Sequence, residues 1–172
     1  MGINKRPATE AEARALASAI RLRILRLCLD SALTNKEIAQ RLNANPATVL
    51  HHVRKLVATG FLAAEPSRRG PRGSTEIPYR ATGKSWEMDI RESGVSGHHA
   101  MLQAFLEEYR PVADAEDTLL TRLGLRLTRQ ELSELERRLH EVFEDFRTRT
   151  PSPGAVPYSV FLAMHRDVSR EP

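Results

Sequence analysis

Only one cysteine, Cys28, occurs among the 172 residues. No disulfide can therefore form within the chain, and the expected setting is a reducing cytoplasm. Cys28 stands among apolar residues, where a buried, inert thiol is the ordinary state. Long apolar runs are missing as well: nothing approaches the roughly 18–20 residues that cross a bilayer. The opening MGINKRPATE lacks the apolar core of a secretory signal. No amphipathic stretch joins a broad apolar face to dense lysines, so binding to a membrane surface is not expected. Catalytic signatures are absent too, with no HExxH helix, phosphate-cradling glycine loop or nucleophile elbow in the chain. His98 and His99 are adjacent, which on a helix points them about 100° apart and makes a poor shared ligand set. An enzyme, a metal site and a cofactor are therefore not expected.

What is present is concentrated in residues 34–60, TNKEIAQRLNANPATVLHHVRKLVATG. Thr34 with Glu37 three residues later is a capping box that opens a helix. Ile38, Ala39 and Leu42 give that short helix an inward face. Residues 43–45 make a turn, Asn45 can cap a second helix, and Pro46 occupies the first helical position, where proline is tolerated. Val49, Val53, Leu56 and Val57 then recur along one stripe. Thr48, His51, Arg54 and Lys55 fall on the other side, and Gly60 stops the helix. A helix-turn-helix whose second helix turns a short, polar, basic face outward suits a DNA major groove.

Residues 61–65 read as a strand, and residues 75–81 as a returning strand. Between them PSRRGPRGS, residues 66–74, is a proline- and glycine-rich tip that carries Arg68, Arg69 and Arg72. An arginine-tipped ribbon directly after the second helix reads as a wing that can reach phosphate or a narrow minor groove.

With ALASAIRLRILRLCL at residues 15–29 and YRATGKSW at residues 79–86, this stretch resembles the winged-helix repressors of the ArsR type. The resemblance spans roughly residues 12–86 and implies a winged helix-turn-helix fold, DNA binding and dimerisation. Ser18-Ala19-Ile20 replace the Asp-Pro-Thr commoner in that family, and Leu50 stands where a serine is frequent. Many of its members hold a metal through paired cysteines at the start of the first motif helix. Thr34 and Lys36 occupy those positions here, and neither supplies a thiolate.

Charge divides the chain. Residues 1–84 carry a net +9 and residues 85–172 a net −5, together the overall +4. A basic half joined to an acidic half suits a polyanion-binding module attached to something else, with salt-dependent affinity through counterion release.

The remaining pattern predicts an α+β protein with a winged helix-turn-helix domain over residues 9–88 and a dimerisation or effector region over residues 97–170. The first helix is expected from residue 9 to residue 29, with an apolar face wide enough to meet another subunit as well as its own core. A helix over residues 98–110, with Met101, Leu102, Phe105, Leu106 and Tyr109 on one face, is the second candidate for a dimer interface. Leu123, Leu125 and Leu127 alternate with polar residues and predict a strand over 119–128. Thr128 with Glu131 opens a helix over 129–148. YSVFLAMH predicts a buried strand over 157–165. Strand, helix, strand implies a right-handed crossover between parallel strands. Phe105, Tyr109, Phe143, Phe146, Tyr158 and Phe161 are the candidate liners of a pocket for a small hydrophobic effector.

The expected function is sequence-specific binding of double-stranded DNA by a homodimeric regulator, a repressor by resemblance. Its binding residues would be Asn45, Thr48, His51, Arg54, Lys55, Arg68, Arg69 and Arg72. The alternative is a winged-helix module that binds another protein.

Overall fold

Three helices begin the same way. In Thr9, Thr34 and Thr128 the side-chain hydroxyl accepts the backbone N–H three residues on, and Glu12, Glu37 and Glu131 return the bond to the threonine N–H. These reciprocal caps satisfy donors that a helix start otherwise leaves open. The computed structural model describes residues 5–70, 73–89 and 97–170, so Arg72 lies outside the described residues. The described residues form two compact units, one within residues 5–113 and one within residues 114–170. Helix 98–110 was expected in the second region. It belongs to the first, held there by ion pairs of Glu107 with Arg23 at 2.8 Å and Glu108 with Arg26 at 2.9 Å.

In chain order the first unit contains β1 (Arg6–Pro7), α1 (Glu10–Leu16), α2 (Ala19–Leu27), β2 (Leu33–Thr34), α3 (Asn35–Leu42), α4 (Pro46–Ala58), β3 (Leu62–Ala64), β4 (Arg68–Arg69), β5 (Thr75–Glu76), β6 (Pro78–Ala81), β7 (Met88–Asp89) and α5 (His98–Tyr109). The single helix expected over residues 9–29 is instead two. Ala17 leaves helical geometry at φ −79°, ψ 47°, and Ser18 is extended at φ −156°, ψ 120°. The Arg21 guanidinium stabilises this break by donating to the freed carbonyls of Ala15 and Arg14 at 2.5 and 2.7 Å.

β6 is the centre of an antiparallel sheet in the order β2-β6-β3, with Leu33 opposite Tyr79 and Leu62 opposite Ala81. β2, absent from the sequence expectation, carries the sheet into the Thr34 cap. β4 and β5 pair separately as the wing, and β1 runs parallel to β7. The core lies where α2, α3 and α4 meet this sheet. Ile24, Ile38, Val49, Val53 and Leu56 are fully buried there, with Phe61 and Leu62 closing the sheet side. Cys28 is wholly buried among them, and desolvation pushes its thiol up to about 11. It is a small apolar filler rather than a nucleophile.

The second unit has one long helix, α6 (Arg129–Thr148), placed as its capping box predicts. The strands expected over 119–128 and 157–165 do not form: among the described residues neither segment belongs to a sheet. Alternation marks which side chains would share a face, but a strand exists only when another backbone completes its hydrogen bonds. No helix of the described residues is long and apolar enough to cross a membrane.

Candidate nucleic-acid interface

The turn between α3 and α4 is set by Asn43, which adopts the left-handed conformation at φ 49°, ψ 47°. Asparagine tolerates this region better than most side-chain-bearing residues. Asn45 then caps α4, its Oδ1 accepting the Ala47 N–H at 2.8 Å. From the other helix Asn35 Nδ2 donates to the Pro46 carbonyl at 2.9 Å, tying the start of α3 to the start of α4. Val49, Val53 and Leu56 anchor α4 with no exposed surface. Asn45, Thr48, His51, Arg54 and Lys55 all stand exposed on the opposite side. The four positions that periodicity selects on this helix, and the capping Asn45, are therefore all exposed.

The far end of α4 is clamped by residues that pattern reading passed over. Gly60 turns the chain at φ 73°. Lys84 Nζ donates to the Thr59 carbonyl at 2.7 Å and also pairs with Glu12 Oε1 at 2.7 Å. Glu12 in turn accepts both guanidinium nitrogens of Arg6, at 3.0 and 2.7 Å, and the Thr9 N–H at 2.9 Å. Hydrogen bonds from Arg6 first, then Lys84 and Thr9, hold its carboxyl far below the ordinary range. One carboxylate thus joins the N-terminal arm, the start of α1 and, through Lys84, the end of α4. Lys84 lies inside YRATGKSW, which the resemblance had singled out, whereas Glu12 is visible in the sequence only as a capping partner.

His52, next to the exposed face, is half-buried. Its Nδ1 lies 3.5 Å from Arg21 Nη1. The guanidinium can only donate, so this contact favours the neutral imidazole, whose free ring nitrogen accepts. Desolvation, followed by Arg21, His51 and Lys55, lowers its pKa below the usual histidine value. Arg21 therefore ties the end of α1 to the back of α4.

On the wing, Arg68 and Arg69 are exposed. Arg68 is engaged: its Nη2 donates to Glu37 Oε1 at 2.7 Å, and its Nε lies 3.9 Å from Glu76. Glu37 thus serves α3 as a cap through one oxygen and holds the wing through the other. At the wing base Arg80 pairs with Glu65.

The six aromatic residues named for an effector divide between the units. Phe105 and Tyr109 stack on each other with centroids 5.4 Å apart. Within the C-terminal unit Phe143 and Phe161 are half-buried, whereas Phe146 and Tyr158 are exposed. An open groove of about 410 Å³ along α5 is lined by His99, Leu102, Gln103, Leu106, Glu107 and Arg110, none of the six.

Residues 16–64 match the family described as "Helix-turn-helix domain". No curated protein matches the chain. Among solved structures, it is similar to a candidate transcriptional regulator, TA0346, from Thermoplasma acidophilum, with 20% identity, 60% of this chain and 99% of that one covered, and a TM-score of 0.39. It is also similar to the homodimeric winged helix-turn-helix DNA-binding domain of Mb0332 from Mycobacterium bovis, a candidate ArsR-family regulator, with 21% identity, 61% and 82% covered, and a TM-score of 0.35. The adhesin competence repressor AdcR from Streptococcus pyogenes shares 19% identity over 74% of this chain and 78% of its own, at a TM-score of 0.34. Residues 16–64 match a helix-turn-helix domain, and with the β4–β5 ribbon behind them the fold of the first half of the chain is a winged helix-turn-helix.

Proposed function

We propose that this chain is a homodimeric transcription regulator of the cytoplasm, a repressor, which binds pseudo-palindromic duplex DNA without enzymatic chemistry. The observation that carries this reading is the outward face of α4. Asn45, Thr48, His51, Arg54 and Lys55 are all exposed over a fully buried Val49–Val53–Leu56 stripe. A helix so anchored can enter a major groove without unpacking its own core. Thr48, His51 and Arg54 would meet base edges, Lys55 and Asn45 the flanking phosphates, and Arg68, Arg69 and Arg72 backbone or minor groove. The net +9 of residues 1–84 supports attraction to a polyanion. One such helix reads only a few base pairs, so two related by a twofold axis would read half-sites about 34 Å apart. Leu29 on the α2 side, with Met101 and Leu102 on α5, is left exposed for such pairing.

Fluorescence anisotropy of the full chain against a random duplex pool, titrated with salt, tests the reading. Binding that weakens steeply with salt, at a slope of about −0.9 per neutralised phosphate, is expected. No binding at about 50 mM salt would contradict it and favour a module that binds another protein.

A further inference from the structure

We propose that the contact between Arg21 and His52 is a proton-operated switch: a proton on the His52 imidazole forces the two side chains apart, unsets α4 and weakens its hold on duplex DNA. The proposal rests on the reading that α4 binds DNA, and its test separates the two.

The geometry begins at the break between α1 and α2. Arg21 is buried, and its guanidinium donates to the Ala15 and Arg14 carbonyls that the break sets free. Its Nη1 lies 3.5 Å from Nδ1 of the half-buried His52 on the back of α4. A guanidinium keeps its charge throughout the range in which proteins stay folded, whereas an imidazole changes charge near neutrality. Of the two, only His52 can switch.

The surroundings offer a second charge no support. α1 meets the pair with two backbone carbonyls, which Arg21 already occupies, and the Arg14 side chain pairs in the open with Glu10 at 2.5 Å. The charged groups that act on His52 are Arg21 from α2 and His51 and Lys55 from α4 itself, every one a base. α3 and β3 also pack on α4, yet among the described residues no acid on either acts on the ring. The His51 ring meets the His52 ring edge-on, with 5.6 Å between centroids, so a proton on one opposes a proton on the other.

A protonated His52 turns donors alone toward a guanidinium that also only donates, and the contact opens. Arg21 cannot retreat without leaving two carbonyls at the break unpaired. The ring therefore moves, and α4 with it. Thr48 precedes His52 by four residues and Lys55 follows it by three, so both stand one turn away on the same side of the helix. A shift of His52 is thus passed to residues that would meet the duplex. His51 works in the opposite sense. It is exposed on the outward face, and a proton there adds a cation beside phosphate.

Fluorescence anisotropy of full-length chains against a random duplex pool, at fixed ionic strength from pH 7.5 to pH 5.0, tests the switch. His51→Gln removes the opposing proton and should lose affinity by about fivefold or more over that range. Adding His52→Gln, which keeps an acceptor for Arg21 and cannot be protonated, should make the affinity independent of pH. His52→Gln alone should bind more tightly at pH 5.0 than at pH 7.5. Circular dichroism at each pH should show the helix content of His51→Gln unchanged while binding falls. Helix lost in step with binding would overturn the proposal, because the change would then be unfolding. An equal decline in the single His51 variant and the double variant would overturn it too, as would no decline in either. No duplex binding by the parent at pH 7.5 would sink the DNA reading itself, and the switch with it.

Discussion

Arg21 has one guanidinium and three neighbours: the carbonyls of Ala15 and Arg14, and the ring of His52. It is 8% exposed, so protonating His52 would set a second cation against a buried one. A histidine whose folded pKa is lowered favours the fold while it is neutral. Its contribution is complete above the ordinary value of 6.5 and is lost as pH falls from there toward the folded value. The melting temperature should therefore decline between pH 7 and pH 5, and His52→Gln should flatten that decline. Glu12 acts lower on the scale. Its depressed pKa gives stability that is present above the ordinary carboxylate value of 4.5 and lost below it. Glu12→Ala, which also strands Lys84, should cost about 2 kcal/mol in urea unfolding at neutral pH, the order expected when charge-assisted bonds lose their acceptor. Thr48, His51 and Arg54 were legible in the sequence because a 3.6-residue period sorts inward from outward without knowledge of the rest of the chain. Arg21 and Lys84 were not, because nothing local marks them and the contacts that tie them to α4 span 31 residues, to His52, and 25 residues, to Thr59.

The elements that the sequence placed well are those with their own boundaries written into them. Thr34 with Glu37, Asn45 with Pro46 and Thr128 with Glu131 begin helices where the structure has them. The break between α1 and α2 escaped notice because its apolar spacing continues through Ser18, and the cap on the freed carbonyls comes from Arg21. The C-terminal strands failed for a different reason: side-chain alternation is local, but a ladder needs a second backbone. The wing adds a prediction at this scale. Arg68 must leave Glu37 to reach phosphate, and an exposed pair of this kind is worth about 0.2–1 kcal/mol. Glu37→Gln keeps an oxygen for the Thr34 N–H and discharges the competitor, so it should tighten DNA binding by up to a few fold at low salt. Alanine at Arg68, Arg69 and Arg72 together should weaken binding to all sequences alike and flatten the salt slope, as expected for phosphate contacts. Anisotropy titrations of both variants at several salt concentrations check this pair of expectations.

Across the whole molecule, charge and apolar surface are distributed by unit. The basic half, with its closed core, fits duplex DNA. The acidic half has a long helix without a buried residue and two segments rich in exposed leucine and valine. The outward face of α4 is proposed to read base sequence. Selection from a random duplex library, run in parallel with the parent and with Arg54→Ala, tests it most directly. The parent should enrich a twofold-symmetric motif. The variant should lose preference at one matched position in each half-site, by about 1–3 kcal/mol, while its non-specific affinity changes little. The same motif recovered with both proteins, or none with either, would rule out base reading by Arg54 on α4.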